Sequence, residues 1–242
     1  MNGSQKLAPL PEDWNKALAV VAHPDDLEYG AASAMARWTS QGKHVSYLLV
    51  TRGEAGIDAM HPSQVGPLRE AEERRSASVV GVHTVEFLDH RDGMIEYGLP
   101  LRRDIARAIR RHCPEVLITG SHHLTWGDRT LNMADHRCVG LAVLDAARDA
   151  GNRWIFPELL AEGYAPWGGV RMVCLFAPPQ PTHAVDITGF LDQGIASLQA
   201  HSVYLANLPG AFDPATFLRQ NALEVGPALG CEHAVSFEVI LM

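Results

Sequence analysis

In the run ALAVVAHPDDLEYG, residues 17–30, six small or aliphatic residues lead straight into His23-Pro24-Asp25-Asp26. Two adjacent carboxylates repel one another, an arrangement that costs stability unless a cation or a reaction uses it. At the spacing His23-x-x-Asp26 a turn can aim an imidazole nitrogen and a carboxylate oxygen at one point. These are two ligands of a two-His-one-carboxylate zinc site, whose fourth position stays open for water. A third ligand has to come from elsewhere, and LNMADHRCVG supplies His136. Asp135 beside it either caps a helix N-terminus or supports a neighbouring ligand. Asp25 is not needed as a ligand and is left to act as general base, because zinc lowers the pKa of a bound water toward about 7 and a nearby carboxylate then takes its proton. The competing reading of His-Pro-Asp-Asp is a turn held by Asx hydrogen bonds; the second cluster at Asp135-His136 weighs against it.

These residues need elements that bring them to one place. Apolar runs alternate with stretches of helical period, predicting strands over 17–22, 45–51, 82–88, 115–119 and 171–177 and helices over 31–41, 67–80, 99–112, 134–150 and 190–201. Strands apolar on both faces and separated by helices imply a Rossmann-like α/β fold, a mostly parallel sheet covered by helices on both faces. Ligands of such sheets bind beyond the carboxyl ends of the strands, where strand order reverses. His23 to Asp26 follow the first strand, and Asp135-His136 follow a later strand and its loop. The irregular stretches 53–66, 121–133 and 151–170 are expected as loops around that crevice.

The bulk of the chain fits this picture. Its 242 residues, 47% hydrophobic and 20% charged, suit one domain with a buried core. A formal charge of −8 without a long Lys/Arg cluster argues against a nucleic-acid or anionic-membrane surface and favours a small-molecule substrate. Cys113, Cys138, Cys174 and Cys231 form no Cys-x-x-Cys pair, so neither a thiolate zinc site nor a disulfide framework is expected. The first residues hold no apolar signal segment, and no apolar run of about 18 residues occurs, so a soluble cytoplasmic protein is expected.

The ordered set AHPDD with Glu28 and Gly30, TRGEAG (51–56), PLREAEERRSASVVGV (67–82), DHRDGM (89–94), ADHRCVG (134–140) and HAVDIT (183–188) resembles the PIG-L/LmbE-type N-acetylglucosaminyl deacetylases over nearly the whole chain. The resemblance implies that His23, Asp26 and His136 hold zinc and that Asp25 is the general base; nitrogen and oxygen ligands choose only weakly between zinc and iron, so iron is an alternative in the cell. It further implies that Arg69 binds the sugar and Asp92 a substrate hydroxyl; family members are commonly homo-oligomers, while the sequence itself does not give the oligomeric state. Taken by themselves, Arg69 could be a solvated helix residue and Asp92 the first residue of an Asp-Gly turn.

One departure bears on mechanism. Many family members carry His-Pro-Asp-His at the second cluster, the first His being thought to stabilise the oxyanion; here that position is Met133. A thioether donates no hydrogen bond. Asn132, His122, His123 or His183 could replace the donor, or metal polarisation of the carbonyl could suffice. His44, His83 and His112 read as element-edge residues, and His201 is left unassigned. The Trp126-Gly127-Asp128 turn, Trp154 and Trp167 read either as sugar-stacking or as minor-core aromatics. The chemistry expected is hydrolysis of an N-acyl, foremost N-acetyl, group on an amino sugar. Its rivals are cleavage of a larger amide in a thiol conjugate and a sugar-binding protein with a vestigial site. A nucleotide-binding Rossmann domain is disfavoured, because the first turn lacks Gly-x-Gly-x-x-Gly and its aspartates would repel phosphate.

Overall fold

The structure, a computed structural model, describes residues 6–126, 129–210 and 212–242. In chain order the elements are β1 (Ala8–Pro9), β2 (Lys16–Val21), α1 (Asp26–Gly30), α2 (Ala32–Ser40), β3 (His44–Leu49), α3 (Pro62–Val79), β4 (Thr84–Phe87), α4 (Leu99–His112), β5 (Val116–Gly120), α5 (Ala134–Gly151), α6 (Glu158–Ala161), β6 (Met172–Phe176), β7 (His183–Asp186), α7 (Leu191–Gln199), α8 (Ser202–Ala206), α9 (Pro214–Leu229) and β8 (Ala234–Leu241).

The strands form one sheet in the order β1-β7-β8-β6-β5-β2-β3-β4. From β4 to β6 every pairing is parallel, and β8 runs antiparallel between β6 and β7. The chain leaves β2 toward β3 and β4, then returns to lay β5 and β6 on the other side. The reversal therefore falls between β2 and β5, and the crevice opens beyond their carboxyl ends.

Alternation along the strands explains why the central ones read as unbroken apolar runs. Ala17, Ala19 and Val21 of β2 join Trp38, Ala77 and Ile195 on one face, which α2, α3 and α7 cover. Leu18, Val20 and Ala22 join Ile105, Ile109, Val139 and Val143 on the other, under α4 and α5. Burial of both faces removes the polar half of the usual strand pattern.

The expected loop 53–66 is shorter than the sequence suggested. α3 begins at Pro62 with His61 as its N-cap, and Pro67 lies inside the helix. The predicted 190–201 helix ends at Gln199, and α8 follows as a separate element.

Candidate metal centre

The turn after β2 aims the first cluster. Asp26 opens α1, and its Oδ2 accepts hydrogen bonds from the backbone N–H groups of Ala22 and His23, at 3.0 and 2.9 Å. Its Oδ1 is thereby left to face His23 Nδ1 at 3.7 Å and His136 Nε2 at 3.0 Å. His136 sits in the first turn of α5 and is oriented from behind, Nδ1 lying 3.1 Å from Asn132 Oδ1. Asn132 Nδ2 in turn donates to the carbonyls of Ser121 and His123 in the loop after β5. The sequence thus unites residues more than a hundred positions apart through the neighbouring ends of β2 and β5.

His23 is fixed in the same manner. Its Nε2 lies 3.2 Å from Asp135 Oδ2 and 3.1 Å from Asp92 Oδ1. Asp135 also accepts from the backbone N–H groups of Gly93 and Ile95, and the α5 N-cap is Met133, without a side-chain cap. Of the two readings of Asp135, support of a neighbouring ligand is the one its contacts match. Asp92 Oδ2 accepts from the Ala55 N–H at 2.8 Å, so both its oxygens already have protein partners.

The donor atoms of His23, Asp26 and His136 lie within 4.8 Å of one another. His136 Nε2 is buried and makes no hydrogen bond, although Asp26 Oδ1 is close. A buried ring nitrogen without a partner, set beside a carboxylate oxygen and a second imidazole, fits a divalent cation of the zinc or iron type. In the metal-free protein these groups titrate as an ion cluster. Burial works against charge on His23, but its hydrogen bonds to Asp135, Asp26 and Asp92 outweigh it and hold the imidazole well above its ordinary value. Burial likewise opposes charge on Asp26, and His136 and His23 overcome it, so its carboxyl stays far below the usual range.

Asp25 has a different environment. It adopts a left-handed backbone, φ 78°, which a residue with a side chain rarely takes. Arg69 Nη2 donates to Asp25 Oδ2 at 3.0 Å and to the Pro24 carbonyl, and the Asp25 N–H donates to Glu73 Oε2 at 3.2 Å. Arg69 is 2% exposed and lies under the Tyr204 ring, its guanidinium carbon 3.7 Å from the centroid. It is therefore a buried partner of Asp25, not a solvated helix residue. Burial raises the Asp25 carboxyl to about 6 against the pull of Arg69, a range suited to a proton acceptor near neutrality.

Behind Asp25, Glu28, Glu73 and His201 form a second buried cluster. His201 Nε2 is 3.6 Å from Glu73 Oε2 and 3.8 Å from Glu28 Oε2, and Glu28 Oε1 accepts from Ser76 Oγ at 2.6 Å. The sequence left His201 unassigned, and nothing local marks it; its setting is made by α7 packing on α3.

A cavity of about 670 Å³ opens in front of the donor atoms and is bordered by His23, Asp25, Asp26, Arg69, Asp92 and His136 together with Met133 and Trp126. His122, His123, Asn132 and His183 do not border it. Trp154 is exposed, and Trp167 packs against the α4–α5 core with its Nε1 donating to the Pro114 carbonyl, so neither meets the site. Gly127 and Asp128 lie outside the described residues. His112 fits its element-edge reading, with Nε2 3.2 Å from Glu86. Tyr204 of α8 and Phe217 of α9 also border the cavity and were not foreseen.

Among known proteins, this chain is 27% identical over 225 residues to the diacetylchitobiose deacetylase of Thermococcus kodakarensis, covering 92% of this chain and 82% of that one. Its fold matches N,N'-diacetylchitobiose deacetylase from Pyrococcus horikoshii with a TM-score of 0.85 and 22% identity, covering 95% of this chain and 85% of the other. It also matches the 4-carboxy-2-hydroxymuconate hydratase GalB of Pseudomonas putida with a TM-score of 0.76 and 22% identity, covering 94% and 97% of the two chains. The fold alone therefore does not choose the reaction. The model of the PIG-L family, described as GlcNAc-PI de-N-acetylase, matches residues 18–147, more than half of the sequence, and the chain belongs to that family.

Proposed function

We propose that this chain is a single-domain, metal-dependent hydrolase that removes an N-acyl group, foremost acetyl, from an amino sugar or its conjugate. One observation carries the reading. His23 Nδ1, Asp26 Oδ1 and His136 Nε2 converge, while the second polar atom of each of these side chains is tied to the protein. Zinc is the ion proposed, and iron suits the same nitrogen and oxygen donors. Bound there, the ion supplies Lewis acidity, activating water and polarising the amide carbonyl.

Asp25 accepts the proton of the attacking water and returns it to the departing amine. Arg69 keeps the Asp25 carboxylate oriented while it does so. Arg69 and Asp92 border the cavity and are the side chains assigned to the sugar, in addition to their inward contacts with Asp25 and His23. Deacetylases of amino sugars among the relatives support this reaction class, as does a cavity of small-molecule size. Among the described residues no helix is long and apolar enough to cross a membrane, and the proposed setting is the cytoplasm.

Amine release from a panel of N-acetylated amino sugars and glycoconjugates, with and without added zinc, tests the proposal. Asp25→Asn is expected to keep the metal content of the parent by elemental analysis and to lose about 10²–10⁴-fold in kcat. Loss of metal in Asp25→Asn but not in Asp26→Asn would reverse the two roles.

A further inference from the structure

The cavity joins a charged floor to an apolar rim. At the floor, His23, Asp25 and Arg69 are 7%, 6% and 2% exposed. At the rim, Met133 and Phe217 are 54% and 36% exposed, apolar side chains open to the cavity beside the buried ion cluster. Phe217 belongs to a group of three rings with Tyr29 and Phe212, whose centroids are 5.6–5.8 Å apart. Phe176, at the end of β6, continues this surface toward Pro178.

The Phe176 ring occupies space that only glycine leaves open. A Cβ at Gly30 would stand 2.2 Å from its Cδ2, and one at Gly120 would stand 3.5 Å from its Cζ. Gly30 is thus required where the ring passes, while a Cβ at Gly120 would make only ordinary contact, so this part of the apolar wall is built into the backbone path of α1. A second sugar held against this wall would bury hydroxyls beside hydrocarbon, which is unfavourable wherever they find no partner. An aryl or short alkyl group would instead gain contact with ring faces and the Met133 thioether.

We propose that this rim is an apolar subsite that selects amino sugars bearing a hydrophobic aglycone over those linked to a second sugar. The chemistry at the floor rests on the deacetylase reading; the subsite's geometry does not. Amine-release kinetics are compared for p-nitrophenyl N-acetyl-β-glucosaminide and N,N'-diacetylchitobiose, and calorimetry compares binding of their fully deacetylated forms. The aryl compound is expected to lead by on the order of 10- to 100-fold in kcat/KM, mostly through KM, as burial of a ring-sized apolar group implies. Phe217→Ser should bring the ratio toward one, and Phe217→Leu should retain most of it. Equal or better use of the disaccharide, or a ratio untouched by Phe217→Ser, overturns the subsite while leaving the deacetylase reading intact. If nothing is deacetylated but the aryl glucosaminide binds at least 10-fold tighter than the disaccharide, the subsite stands and the deacetylase reading falls. Absence of both turnover and preferential binding overturns both.

Discussion

Asp25 holds a backbone conformation that costs roughly 1–3 kcal/mol for a residue with a side chain, and it does so in a turn whose neighbours over-determine it. Arg69 ties its carboxylate to the carbonyl before it, Glu73 takes its N–H, and His201 stands against Glu73. The left-handed turn sends Asp26 into α1 with one oxygen spent on the chain and one facing His136 and His23, so two adjacent aspartates acquire different surroundings. At Met133 the opposite holds, since this exposed side chain at the cavity edge has nothing to donate. None of the four substitutes suggested by sequence borders the cavity. His123 Nε2 is 2.8 Å from Glu238, His183 at the start of β7 has its Nδ1 2.8 Å from the preceding Thr182 Oγ1, Asn132 is spent on His136 and the loop, and His122 stacks on His123 away from the cavity. Alanine at His122, His123 or His183 should therefore leave kcat near the parent value. Met133→His should raise it, because an oxyanion donor is worth about 10²–10³-fold elsewhere, so even partial recovery is measurable. No gain from Met133→His would leave carbonyl polarisation by the metal as the whole of that stabilisation.

α5 shows how an element carries a site. It packs against α4 and the sheet through Val139, Val143 and Ala146, a face that the spacing of apolar residues made legible in sequence. Gly140, one turn beyond His136, is what the spacing could not reveal. A Cβ there would stand 2.8 Å from the Gly120 carbonyl and 2.9 Å from His122 Cβ, so α5 approaches the end of β5 at backbone distance. Gly140→Ala should push the helix and His136 outward, lower stability by roughly 1–3 kcal/mol and weaken metal binding; melting and metal titration would check both. A variant with the parent's metal affinity would mean that His136 is positioned by Asn132 alone. The carboxyl-terminal elements were illegible for a related reason. β8 exists because a gap between β6 and β7 accepts it, a long-range circumstance that its alternation of Val235, Phe237 and Val239 only hints at. α9 did carry a local signal, Asp213 followed by Pro214, and the Asp213 carboxylate caps the N–H groups of Ala215 and Thr216.

Across the whole molecule, the proposed metal ligands come from the turn after β2 and from α5, which follows β5, and they meet because the sheet reverses order between those two strands. The sequence made this meeting legible through two short clusters, whereas the ring-lined rim depends on α9 packing near α1. The same convergence makes the metal-free centre sensitive to protons. His23 and His136 face Asp26, and His23 also faces Asp92 and Asp135, so in the metal-free fold both imidazoles bind protons more tightly than in the unfolded chain, despite burial. Their contribution to the stability of the metal-free fold is complete below about pH 6.5 and is lost as pH rises through their raised folded-state values. A divalent ion requires both imidazoles neutral and replaces the missing positive charge, so its effect has the opposite pH dependence. Free ion at a hundred times its dissociation constant adds about 2.7 kcal/mol, roughly 5–10 °C in Tm for a chain of this size. Chelation should therefore lower Tm by about that amount at pH 8 and by distinctly less at pH 6, as read by calorimetry with and without chelator at each pH. A decrease equal at both pH values, or greater at pH 6, would show that the ion is not held by these two histidines.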